Sequence, residues 1–223
     1  MVSRTQVPLE SIRIAGGSGR VRVRAVADLD EVSVDGSSAV VDGTEVTVDG
    51  GSSRVEVRMP EGLDLVIGTS SGRVDMSGRA GAVAVVTTSG RVSIDEAASV
   101  DIRVRSARVD IGAVTGECRV VGGSGSVTIG RCGSANVTTG SGRITLRDVH
   151  GRAQAHCTSG RIDLTMGTPS DVDAETVSGR INITMPAGAR VRTDTPTSTT
   201  VTVDGECDCV VTARSGSGRV VVK

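Results

Sequence analysis

No phenylalanine, tyrosine or tryptophan occurs anywhere in the 223 residues. Single-stranded nucleic acid is held by stacking bases on aromatic rings, and interfacial membrane belts and ring-anchored pockets need the same side chains. Those function classes are excluded. Lysine is nearly as scarce: of 25 basic residues only Lys223 is a lysine, and the rest are arginines. Against 26 acidic residues they leave a formal net charge of −1, so no global field draws the chain to DNA or to an anionic membrane. The five cysteines are an odd number without framework spacing, which favours reduced thiols over a disulfide scaffold. No apolar run approaches the length of a membrane span, and residues 1–14 contain no apolar core of an export signal. The location expected of the chain as it stands is cytoplasmic, or extracytoplasmic if a leader has been removed.

What is abundant is valine, 38 residues, and glycine, 30 residues. They are not scattered. A tripeptide Ser-Gly-Arg followed by Val or Ile recurs at Ser18–Val21, Ser71–Val74, Ser89–Val92, Ser141–Ile144, Ser159–Ile162, Ser178–Ile181 and Ser217–Val220. Looser copies end at Val40, Val55, Val109, Val127 and Val201. Twelve copies at steps of 15 to 20 residues are the signature of a solenoid.

Each copy holds two short strands. The first follows the tripeptide and alternates with period two, as in Val92-Ser93-Ile94, Ile144-Thr145-Leu146 and Ile162-Asp163-Leu164. The second precedes the next Ser-Gly, as in Val83/Val85/Thr87 and Ala153/Ala155/Cys157. Such alternation, bounded by Gly, Ser and Asp, predicts half-buried strands, and β-branched content points the same way. Small connector residues Ala97, Val114, Cys132 and Val149 are expected to face inward. The expected fold is all-β, a single-domain β-solenoid over 1–223 of about twelve coils of 17–20 residues. Residues 1–16 form its opening strand or cap, 17–214 its repeats and 215–223 its terminal strand. The stretches 42–51 and 188–204 are the least regular and are expected to be distorted coils. Aromatic rings would overpack an interior whose neighbours above and below are Val, Ile, Ala, Thr and Cys.

These half-coils, together with the opening Gly17–Val23 and the acidic turn at Asp28-Leu29-Asp30, resemble the bacterial toastrack family of adhesin-like β-strand repeats, a family defined as a domain of unknown function. The resemblance covers essentially the whole chain. It implies a β-solenoid with no catalytic residues, and a role as an assembly platform of the adhesin or envelope-stress type. Two departures stand out. Relatives often have Asp or Asn after the glycine where this chain has arginine in nine copies, and many carry a transmembrane segment absent here.

Those nine arginines are Arg20, Arg54, Arg73, Arg91, Arg108, Arg143, Arg161, Arg180 and Arg219. With an inward Val or Ile next, each must face outward, one coil from its neighbour. The candidate surface ladder is Arg73, Arg91, Arg108, Arg143, Arg161 and Arg180. One reading is a cationic strip for a polyanion or polysaccharide; the other is a surface lattice. Glu56, Asp75, Asp110 and Asp163, two residues on from an arginine, stand where they can pair with arginines of neighbouring coils.

No metal or cofactor is expected. Cys207-Asp208-Cys209 and His156-Cys157 lack the paired spacing of a zinc site, and parity turns Cys118, Cys132 and Cys157 inward. No catalytic residues are assigned, because His150 and His156 share no evident site with a nucleophile. The ends carry the remaining signal. Val220-Val221-Val222 is a β-prone terminal strand with charge only at its margins, and Pro8 is the sole blunting residue near Leu9, Ile12 and Ile14. Open solenoid ends attract further strands. The reading that follows is a non-enzymatic scaffold or protein-interaction module, pairing through its end strands with another copy or a different protein.

Overall fold

The computed structural model describes residues 3–5, 9–194 and 208–223, and among these every regular element is a strand. Pro8, Pro196, Cys207 and the repeat copy at Ser198–Val201 lie outside the described residues. The chain divides into two compact units, Met1–Val114 and Thr115–Lys223.

The first unit contains β1 (Ser3–Thr5), β2 (Ser11–Gly16), β3 (Arg20–Val26), β4 (Val32–Asp35), β5 (Ser38–Asp42), β6 (Glu45–Gly51), β7 (Val55–Pro60) and the first part of β8 (Asp64–Val149). The second contains the rest of β8, then β9 (Ala153–Met166), β10 (Val172–Thr184), β11 (Val191–Asp194) and β12 (Cys209–Val222). Strands as long as β8 arise because pairing continues through the coil corners.

Burial alternates as period-two patterning requires. In β9, for example, Ala153, Ala155, Cys157, Ile162, Leu164 and Met166 are buried and the residues between them are not. The connector residues Ala97, Val114, Cys132 and Val149 are also buried. The core is thus columns of aliphatic side chains, each fully buried Val, Leu or Ile contributing about 1.5–3 kcal/mol.

The repeat register is the pairing register. In the second unit Ser141, Ser159, Ser178 and Ser217 are consecutive parallel partners, as are the glycines and arginines that follow them and then Ile144, Ile162, Ile181 and Val220. Glycine is required at this corner for two reasons. Gly160 has φ +149° and Gly179 φ +157°, and a Cβ on either would overlap the carbonyl oxygen of the glycine one coil below.

The coils do not stack in chain order. In the first unit β2 lies between β6 and β8, and β3 between β7 and β8. The N-terminal segment, expected to begin or cap the stack, therefore has strands on both sides. In the second unit β12 pairs with β10 along Val211–Val222, and its first part also pairs with β11. Ile181 thus meets Val220 directly, with no coil between them. Insertion one place inward covers both edges of β2 and β3, and in β12 both edges of Cys209–Thr212.

The copy at Val40 is also not a parallel coil. β5 runs antiparallel to β6 with Asp42 opposite Glu45, leaving a two-residue loop in which Gly43 has φ +59°. This hairpin replaces the distorted coil expected over 42–51, and Val40 is 66% exposed on it.

One buried column is polar. Thr69 Oγ1 donates to Thr87 Oγ1 at 3.0 Å, and Thr87 Oγ1 donates to the Ser89 carbonyl at 3.1 Å. In the second unit the equivalent column reads Thr139, Cys157, Thr176, Ser215. There Ser215 Oγ reaches the Gly179 carbonyl at 3.4 Å, while the hydroxyls of Thr139 and Thr176 are buried without a partner.

Candidate functional site

The arginine after each corner glycine faces outward throughout, exposed or half-buried, but the two units treat it differently. In the first, Arg20 and Arg73 are in-register neighbours, and Asp75 stands two residues beyond Arg73 on the same face. Arg20 donates to Asp75 Oδ2 through Nε at 2.9 Å and Nη2 at 2.7 Å, and Arg73 Nε donates to Oδ1 at 2.7 Å. Partial burial alone would raise the Asp75 carboxyl. The hydrogen bonds and charges of Arg73 and Arg20 outweigh it and hold the group below its ordinary value. Glu56 engages Arg24 at 3.6 Å, an arginine outside the repeated column. The lattice expected of Asp75 is therefore present, and Glu56 serves a neighbouring row.

In the second unit the same position two residues on is held by Thr145, Asp163, Asn182 and Val221 in successive strands. Its one acid, Asp163, accepts from Asn182 Nδ2 at 2.6 Å. Arg143, Arg161, Arg180 and Arg219 consequently form a parallel in-register column with no ion pair among the described residues. At about 4.8 Å per strand the column sets four cations in one in-register row. Beside it runs a row of corner hydroxyls, with Ser141 Oγ donating to Ser124 Oγ and Ser217 Oγ to Ser178 Oγ, both at 3.3 Å. Of the remaining candidate ladder residues in the first unit, Arg91 is half-buried and Arg108 exposed.

The terminal strand is paired within the chain. Val220, Val221 and Val222 lie parallel to Ile181, Asn182 and Ile183. β11 borders only Cys209–Thr212, so among the described residues the other edge of Ser217–Val222 has no strand beside it.

The thiols are structural. Cys118, Cys132, Cys157 and Cys209 are buried, the first three facing inward as parity requires. Burial pushes the Cys118 thiol far above its ordinary value, with Cys132 and Glu117 adding to the shift. Burial, followed by the nearby Asp148 carboxylate, pushes Cys132 up to about 11. Neither supplies a thiolate at neutral pH.

The histidines lie in separate clusters. His156 Nδ1 is 3.6 Å from Glu175 Oε2 beside a shallow groove lined by Thr139 and Cys157. His150 Nε2 is 3.2 Å from Asp148 Oδ1, and Arg131 Nε donates to Asp148 Oδ2 at 2.9 Å. The Arg131 hydrogen bond, then that of His150, lowers the Asp148 carboxyl. Sequence reading missed this cluster, whose only local signal is the Asp148-Val149-His150 alternation. Among the described residues no group of three His, Cys, Asp or Glu is placed to hold a metal ion, and no helix is long and apolar enough to cross a membrane.

Parallel coils closed around aliphatic columns, with like residues in register, define a β-solenoid repeat protein. The chain belongs to the Toastrack family: the family model, Toastrack DUF4097, matches residues 31–206. A protein from Clostridium sporogenes, provisionally designated a cell adhesion protein, has a solved structure similar to this chain at 7% identity. That alignment covers 100% of this chain and 98% of the other, with a TM-score of 0.26, and carries no argument about function. No curated protein matches the chain.

Proposed function

We propose that the chain is a non-enzymatic scaffold of the adhesin-like or envelope-stress type, which pairs with a protein partner or a second copy of itself through an open strand edge. One observation carries this reading: pairing sets like residues side by side, serine on serine, glycine on glycine and arginine on arginine. A catalytic centre needs unlike side chains converging on one reacting atom. Here register spreads the same side chain at equal intervals along a surface, an arrangement suited to an extended or repeating partner. The edge of Ser217–Val222 that has no strand beside it among the described residues supplies backbone groups for strand addition, with side chains of alternate residues available for selectivity.

The experiment is the mass in solution across a wide concentration range, for the natural chain and for Val221→Lys. Edge pairing between copies gives a concentration-dependent oligomer that the charged substitution abolishes. A strictly monomeric natural chain, or an oligomer indifferent to Val221→Lys, overturns pairing between copies through this edge.

A further inference from the structure

The column Arg143, Arg161, Arg180 and Arg219, which has no ion pair among the described residues, bears on ligand chemistry. We propose that this face of the second unit binds an extended carboxylated polysaccharide, a uronan, along the arginine column; this deepens the scaffold reading by naming a ligand class, and rests on it.

Three observations carry the assignment. First, the column is in register, one guanidinium per strand at a step of about 4.8 Å. An extended uronan advances by a similar distance per sugar and repeats its carboxylates along a straight axis. A nucleic-acid strand winds its phosphates away from such a row, so few could be met at once. Second, the guanidinium fork matches a carboxylate through two parallel hydrogen bonds. The same motif in the first unit shows guanidinium–carboxylate recognition internally, with Arg20 placing Nε and Nη2 on Oδ2 of Asp75 and Arg73 placing Nε on Oδ1. The polysaccharide carboxylate would occupy in the second unit the role that Asp75 fills in the first. Third, the column is flanked by hydroxyls, an amide and a single carboxylate, and not by rings. The corner serine hydroxyls lie on one side; on the other lie Thr145, Asp163 with its carboxylate bonded to the Asn182 amide, and Val221. Hydroxyl-rich sugars can bond such groups, whereas nucleobases would need aromatic faces that the chain lacks entirely.

The test is calorimetric titration of the full chain with polygalacturonate, with neutral dextran and with duplex DNA, at low and high salt. Polygalacturonate binds, dextran does not, and affinity falls as salt rises. Exchanging Arg161→Gln together with Arg180→Gln weakens binding at least about tenfold, equivalent to roughly 1.4 kcal/mol. Arg73→Gln, whose guanidinium already serves Asp75, leaves binding unchanged and shows that the loss follows the column, not total charge. Absence of polygalacturonate binding overturns the proposal, as does duplex DNA binding equally well or Arg73→Gln matching the double variant. Polymer length after incubation separates this inference from the scaffold reading. Binding with shortening of the polymer keeps the site but overturns the non-enzymatic reading.

Discussion

Cys157 occupies the one place in the buried polar column where a hydroxyl would satisfy both neighbours. Thr139 and Thr176 flank it in register, are 4% and 2% exposed, and have unpartnered hydroxyls. An unmade hydrogen bond on a buried polar group costs about 1–3 kcal/mol, and a typical bond made in its place gains about 1 kcal/mol net. The first unit shows the geometry is attainable, because Thr69 and Thr87, 18 residues apart, bond at 3.0 Å. Cys157→Thr should therefore form two such bonds. Allowing for the extra bulk of a β-branched side chain in a packed column, the expected gain is about 1–2 kcal/mol. Equilibrium denaturation measures it as a higher midpoint at unchanged slope. Cys157→Val, which has the same shape without the hydroxyl, is the control and should be neutral or destabilising. Equal stability of the Thr and Val variants would refute the reasoning, since packing alone would then account for the column.

Asp75→Asn removes the charge that joins Arg20 and Arg73 and should cost about 1 kcal/mol at neutral pH, the groups being partly exposed. Because the folded Asp75 carboxyl lies below its ordinary value, its contribution is complete above about pH 4 and is lost as pH falls through the folded value. Denaturation at pH 7 and pH 3 should show the gap between variant and natural chain closing in acid; a gap that persists contradicts the ion-pair origin. Gly160→Ala puts a Cβ against the Gly142 carbonyl at φ +149° and should destabilise by on the order of 3 kcal/mol; a melting temperature like that of the natural chain refutes the corner argument. Burial and the raised thiol values predict that Cys118 and Cys132 resist alkylation in the folded chain at pH 7 and react fully in denaturant. Mass spectrometry of the alkylated chain decides this, and labelling under native conditions contradicts it.

Much of this fold is legible locally. The alternation Ile162-Asp163-Leu164 specifies which side chains enter the core, and the repeated Ser-Gly-Arg marks a corner whose glycine has both a conformational and a contact reason. Cys118, Cys132 and Cys157 fall inward by the same parity. Stacking order is not written in any one copy. Val21 and Val220 stand in motifs indistinguishable from internal ones, yet Val21 has a strand on each side and Val220 lies directly against Ile181. Asp75 and Asp163 occupy the same place in the repeat, but one meets two arginines and the other an asparagine, a difference set by which coil lies alongside. The hairpin at Val40 did have a local signal: Gly43, followed by Thr44, is the glycine that a two-residue hairpin turn takes at its first central position.

The arginine column depends on β12 lying directly against β10. Ser178→Cys with Ser217→Cys tests that register most directly. In-register parallel partners stand about 4.8 Å apart, within the Cα separation a disulfide accepts, whereas an intervening coil would set them about 9.6 Å apart, beyond bridging distance. Mild oxidation of the folded chain is predicted to give rapid, near-complete intramolecular cross-linking between these two positions. Failure to cross-link while both thiols remain titratable in denaturant would contradict it.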